Sequence, residues 1–180
     1  MTSPALFLLL VGAVAAERLV ELVLSRRHER ALRARGAVEA GAGHYPLMVA
    51  LHAGLLAGAA AEVLLLERPF LPWLGWPMLG VVAATMALRY WVIATLGERW
   101  TTRVLVLPGA PLVASGPYRF LRHPNYLAVV LEVVALPLVH TAWITALVCG
   151  AANLLVLALR IRVEDAALGR GAGDDQPRRD

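Results

Sequence analysis

Long apolar runs set the limits on what this chain can fold into. A helix needs roughly 20 mostly apolar residues to cross the hydrocarbon of a bilayer. Runs of about that length stand at residues 5–24, 46–66, 73–96 and 142–159, with a shorter one at 126–139. Backbone N–H and C=O groups find no water in hydrocarbon, so each run is expected to be a helix. The expected fold is therefore all-α: a polytopic integral membrane bundle of about five transmembrane helices. It forms a single domain over residues 1–168, followed by a disordered polar tail at 169–180. Composition agrees, since a chain that is 59% hydrophobic and 17% charged, with mean hydropathy +0.65, is too apolar for an ordinary soluble domain.

The net charge of +4 would suggest nucleic acid in a soluble protein, but all the basic residues are arginine and most flank apolar runs. Topology explains them better, and no nucleic-acid partner is expected. Arg26, Arg27, Arg30, Arg33 and Arg35 follow the first run, Arg99, Arg103, Arg119 and Arg122 the third, and Arg160 and Arg162 the fifth, whereas the link after the second holds Arg68 alone. The positive-inside rule then puts the N-terminus outside and the C-terminus inside, in the cell's inner or plasma membrane. The N-terminus lacks a basic n-region, and Glu17, Arg18 and Glu21 stand where a cleavage site would fall, so the first run reads as a retained helix. Pro137 and the polar His140 and Thr141 predict a tight turn, making the last two helices a helix-turn-helix hairpin.

Ionisable residues at membrane depth are costly and therefore informative. Glu62, Arg89, His52 and Glu132 fall within the runs, with Glu17, Arg18 and Glu21 nearer an interface. Interhelical pairing or snorkelling would account for several of them. The densest polar and aromatic stretch is GPYRFLRHPNYLAVVLE at residues 116–132, where Pro124 fixes the mouth of a helix beside Arg122, His123, Asn125 and Tyr126. A second cluster, Arg160, Arg162, Glu164 and Asp165, ends the fifth run. Either could be an interfacial anchor, and Arg160 and Glu164 could simply pair one turn apart. The hairpin, however, returns the second cluster to the face that holds the first, and convergence of the two favours a pocket. Other chemistries lack their signatures: the five histidines show no zinc-binding spacing and Cys149 is the sole cysteine, so no metal site is expected. Gly54 and Gly58 form a small-xxx-small pair that could let two helices approach closely.

RHPNY at Arg122 to Tyr126, followed after the hairpin by RIRVED at Arg160 to Asp165, resembles the isoprenylcysteine carboxyl methyltransferase family and its phospholipid methyltransferase relatives. ERWTTRVLVLPGAPLV at residues 98–113 and HYPLMVALH at residues 44–52 look like a bacterial branch associated with type III polyketide synthases, whose members methylate alkylpyrones. The resemblance implies S-adenosyl-L-methionine as methyl donor, bound at the cytoplasmic end of the last helices. It implies a lipidic acceptor entering from the bilayer, and a polyketide synthase as pathway partner. Arg122 and Glu164 would be catalytic. Gly116, Tyr118, His123, Asn125, Tyr126, Arg160 and Asp165 would hold the cofactor, and Trp100, Thr102 and Glu132 the substrate. Asp165 departs from the family's usual second glutamate, and the aromatic C-terminal stretch of the eukaryotic enzymes is missing. An already activated methyl group needs mainly an aligned, dry and anionic acceptor oxygen, so an arginine to hold the anion matters more than a general base. The competing readings are an NADPH-dependent sterol-type reductase and a non-catalytic membrane scaffold. Such reductases place a glutamate three residues after the tyrosine, where this chain has Val129, its first acid being Glu132. The sequence leaves the oligomeric state open.

Overall fold

Each apolar run folds as a helix. A computed structural model describes residues 3–169, and among them stand α1 (Pro4–Ala34), α2 (Tyr45–Leu65), α3 (Pro72–Leu96), α4 (Pro124–Leu138) and α5 (Trp143–Ala167). Apart from Gly169, the expected polar tail lies outside the described residues. α2, α3 and α5 are long and apolar enough to cross a membrane, and α4 is a shorter apolar helix of 15 residues. The chain is an all-α membrane bundle, with large apolar side chains such as Leu9, Leu65, Trp73 and Leu155 facing outward as lipid requires.

Two helices run further than their apolar runs. α1 continues through Arg26, Arg27, Arg30 and Arg33, so its 31 residues span ~46 Å and exceed the ~30 Å hydrocarbon layer. α5 continues through Arg160 to Asp165, because nothing in RIRVED breaks a helix and Arg and Glu are good helix formers. The arginine-rich ends are therefore helix, not loop.

Antiparallel strands β1 (Val38–Ala40) and β2 (Val104–Val106) join the α1–α2 and α3–α4 connections. Three-residue strands carry too little alternation to be read from sequence. Their pairing puts both arginine-rich connections on one side, as the threading of the spans requires. Glu39 anchors this strap, accepting hydrogen bonds from Arg33 and Arg103, while Arg103 lies 4.1 Å over the Tyr45 ring. Burial pushes the Glu39 carboxyl up, but hydrogen bonds and charge from Arg103 and Arg33 outweigh it and hold the group below the usual carboxylate range.

At the other end the packing is dense. α4 and α5 turn through Thr141 (φ 54°), whose hydroxyl donates to the Pro69 carbonyl at 2.6 Å. Gly75 makes room there, since a Cβ would lie 2.7 Å from the Val139 carbonyl oxygen and closer still to the Phe70 ring. Phe7, Val11, Ala59, Val63, Val82, Leu136 and Val139 form the core around this turn. Of the small-residue pair, Gly58 does bring α2 against Thr145 of α5, whereas Gly54 faces open space.

Glu62 is structural. Its carboxylate accepts from the Ile144 and Thr145 amides at 3.1 and 2.7 Å and from the Thr145 hydroxyl at 2.8 Å, capping α5 from a neighbouring helix. Arg68 completes the group at 3.0 Å. Glu62→Ala is expected to destabilise the fold by about 3 kcal/mol, because the α5 amides and Arg68 lose their shared acceptor. Thermal unfolding in lipid nanodiscs would report this as a lowered Tm, and an unchanged Tm would refute the cap.

Candidate functional site

Proline at the first position of α4 costs no hydrogen bond, since that N–H has no helical partner, and its ring fixes φ for the turn that follows. His123 is thereby held just before the helix, and Tyr126 in its first turn, with the two rings stacked at 5.2 Å and 17°. From α5, Arg160 and Glu164 lie one turn apart on the same face. They are joined through the tyrosine: Arg160 Nε donates to Tyr126 Oη at 2.9 Å, and Tyr126 Oη donates to Glu164. The Arg160 guanidinium also lies 5.5 Å from the Tyr126 ring centre. The hairpin thus brings the two polar clusters into direct contact.

Around this centre, His123 Nε2 stands 3.4 Å from Asp165 Oδ1, His123 Nδ1 3.8 Å from Glu164 Oε1, and Arg122 Nη2 3.6 Å from Asp165 Oδ1. These separations are too long for hydrogen bonds. His123 Nε2, Asn125 Oδ1, Asp165 Oδ1 and the Trp100 indole nitrogen are buried with no hydrogen-bond partner. Buried polar atoms are rarely left unpaired, so several around one centre point to a ligand.

Depth follows from helix length. Arg160 is 17 residues and Glu164 21 residues along α5 from Trp143, which places them ~26 and ~32 Å from the hairpin turn. The tyrosine–arginine contact and the acidic pair therefore lie near the far end of α5, about one hydrocarbon thickness from the turn.

Two cavities meet here. The smaller, about 110 Å³, is lined among others by Tyr118, His123, Asn125, Tyr126, Arg160 and Glu164. The larger, about 350 Å³, lies between α1, α2, α4 and α5 with a mostly apolar lining that includes Leu22, Val49, Leu56, Val129 and Val156. Trp100, Thr101, Asn125, Tyr126 and Arg160 belong to both walls. A polar chamber at the ends of α4 and α5 thus adjoins a mostly apolar chamber between the helices.

The remaining expected site residues fall into distinct places. Thr102 lines the larger cavity, its amide and hydroxyl both 2.9 Å from Ser25 Oγ. Gly116 lines neither cavity; its positive φ (56°) and a Cβ position 2.3 Å from Thr95 Oγ1 show that only glycine fits the loop there. Glu132 lines neither, being 2.7 Å from Arg89 Nη2 and 3.2 Å from Arg18 Nη2. That pair extends to Glu17 and Glu21 through Arg18, and Arg89 Nε stands 3.6 Å from Glu21. Residues not foreseen at the site are Met48, whose sulfur lies 2.9 Å from Arg160 Nη1, and Asn153 on the wall of the larger cavity. A lone amide in an apolar run was the signal available for Asn153.

Residues 78–170 match the model of the isoprenylcysteine carboxyl methyltransferase family. Similar proteins include the uncharacterized protein YpbQ of Bacillus subtilis (strain 168), 37% identical over 164 residues, or 91% of this chain and 96% of the relative. An uncharacterized protein of Haemophilus influenzae is 32% identical over 160 residues, covering 87% of this chain and 91% of the relative.

Proposed function

Because the chain belongs to the isoprenylcysteine carboxyl methyltransferase family, we propose that it is an S-adenosylmethionine-dependent O-methyltransferase acting on an acidic lipidic acceptor at the cytoplasmic membrane face. A prenylcysteine-type carboxylate and an alkylpyrone-type enolic hydroxyl share the needed chemistry, an oxygen already ionised near neutral pH. The observation that carries the reading is the meeting of the polar chamber and the apolar chamber across Tyr126, Asn125 and Arg160.

The residues suit the donor. Carboxylates and aromatic faces attract a cation; Glu164, the stacked His123 and Tyr126, and Asn125 with its unpaired oxygen line the smaller cavity, and Asp165 stands 3.4 Å from His123 outside that lining. When bound, S-adenosylmethionine supplies a methyl group activated by its sulfonium. The protein's own part is placement. Tyr126 is fixed from both sides by Arg160 and Glu164, so the wall between the chambers is rigid. Arg122, at the interface beside Asp165, draws the acceptor anion toward the opening. Leu22, Val49 and Val156 exclude water from the acceptor's chain.

Membranes containing the protein, supplied with methyl-labelled S-adenosylmethionine and a 6-alkyl-4-hydroxy-2-pyrone or a prenylcysteine, are expected to transfer label to the lipid fraction. Absence of labelled lipid with both acceptors and with the cell's own lipid extract would remove the proposal.

A further inference from the structure

The larger cavity is apolar along most of its wall; besides the stretch it shares with the smaller cavity, its polar lining includes Arg18, Glu21, His52, Arg89 and Asn153. Asn153 of α5 is buried, 5% exposed, and faces this cavity. Its side-chain amide makes no hydrogen bond to another described residue and is open to the cavity. A primary amide brings two donors and an acceptor, and leaving them unmet in an apolar place is costly.

His52 of α2 stands at the same level. α2 and α5 run antiparallel, with Gly58 against Thr145 and Met48 against Arg160; interpolating between these contacts puts His52 opposite Asn153. His52 also lines the cavity, and its Nδ1 is 2.8 Å from the Met48 carbonyl oxygen. A carbonyl cannot donate, so Nδ1 carries the proton and Nε2 of the neutral ring is an acceptor. Arg18, Glu21 and Arg89 line the same cavity, and there the two guanidiniums are paired with three carboxyls, those of Glu17, Glu21 and Glu132. That balance disfavours a second anion at this depth.

We propose that Asn153 and His52 form a recognition point for a neutral hydroxyl on the acceptor's chain, the hydroxyl accepting from the asparagine amide and donating to His52 Nε2. Asn153 lies 7 residues before Arg160, so the recognised oxygen sits ~10 Å from the transfer centre. This deepens the methyltransferase reading by naming its substrate class: a lipid with an ionised oxygen at one end and a neutral hydroxyl well down its chain.

The test needs no turnover. The protein in lipid nanodiscs is titrated calorimetrically with dodecan-6-ol, dodecan-6-one and dodecane, with empty nanodiscs as the blank. A hydroxyl meets both groups, a ketone only the asparagine, and an alkane neither. The alcohol is expected to bind about tenfold more tightly than the ketone, with the alkane weakest. Asn153→Leu, which removes an amide that holds no protein partner, is expected to keep or raise the Tm and to erase the preference for alcohol over alkane. His52→Phe is expected to make alcohol and ketone equal. Equal binding of all probes by the unaltered protein, or a preference untouched by Asn153→Leu, would overturn the assignment. Titration of the same samples with S-adenosylhomocysteine separates the two ideas. A missing cofactor signal with the alcohol preference intact removes the methyltransferase and keeps the recognition point.

Discussion

Glu164→Ala is expected to lower methyl transfer by about two orders of magnitude or more while the protein stays folded. Glu164 accepts the Tyr126 hydroxyl and stands 3.8 Å from His123, so it positions two residues of the chamber wall as well as presenting a negative charge. Alanine leaves Tyr126 tethered only by Arg160, whose uncompensated positive charge would then face a cationic donor. Misplacement of a reacting group by about 1 Å is enough for a 100-fold loss. Because α5 continues past this position and its cap is remote at Glu62, helix content and Tm are expected to change little. Glu164→Gln, which keeps an oxygen for the tyrosine but drops the charge, should fall between the two. Labelled methyl transfer measures the loss, and near-normal turnover in the alanine variant would remove Glu164 from the site.

Arg89→Leu carries the largest expected cost to stability. Arg89 is 5% exposed and bonds Glu132, itself 4% exposed, at 2.7 Å. Removing one partner of a buried pair typically costs about 3–5 kcal/mol, a large part of the roughly 5–15 kcal/mol that holds a domain together. Arg18 would then face Glu17, Glu21 and Glu132 alone. The expected outcome is little monodisperse protein on size exclusion. The double substitution Arg89→Leu with Glu132→Leu removes both charges and leaves Arg18 with Glu17 and Glu21, so most of the folded yield should return. Failure of the double variant to recover would show that the network does more than balance charge.

The helices were legible because each run is long, apolar and bounded by arginine or proline, and lipid leaves the backbone no alternative to a helix. The convergence of His123 and Tyr126 with Glu164 was legible for a topological reason: a turn at Pro137 and His140 returns α5 to the face that α4 left. What sequence could not give was partnership across helices. Glu62 caps α5, and Glu132 closes an ion pair behind the cavity wall, yet in sequence both are carboxylates in apolar runs. Nor did α1 announce itself as one long helix, since arginine favours helix as much as it marks a membrane edge. The β1–β2 strap depends on contacts between residues more than sixty positions apart, which no local pattern encodes.

The central claim is that the α4–α5 hairpin builds one chamber for a sulfonium nucleoside. Calorimetric titration of the protein in lipid nanodiscs with S-adenosylhomocysteine, and separately with NADPH, tests it most directly. The account predicts saturable, one-site binding of S-adenosylhomocysteine that is strongly weakened in Glu164→Ala, with no heat from NADPH. Binding of NADPH instead, or of neither compound, would contradict it.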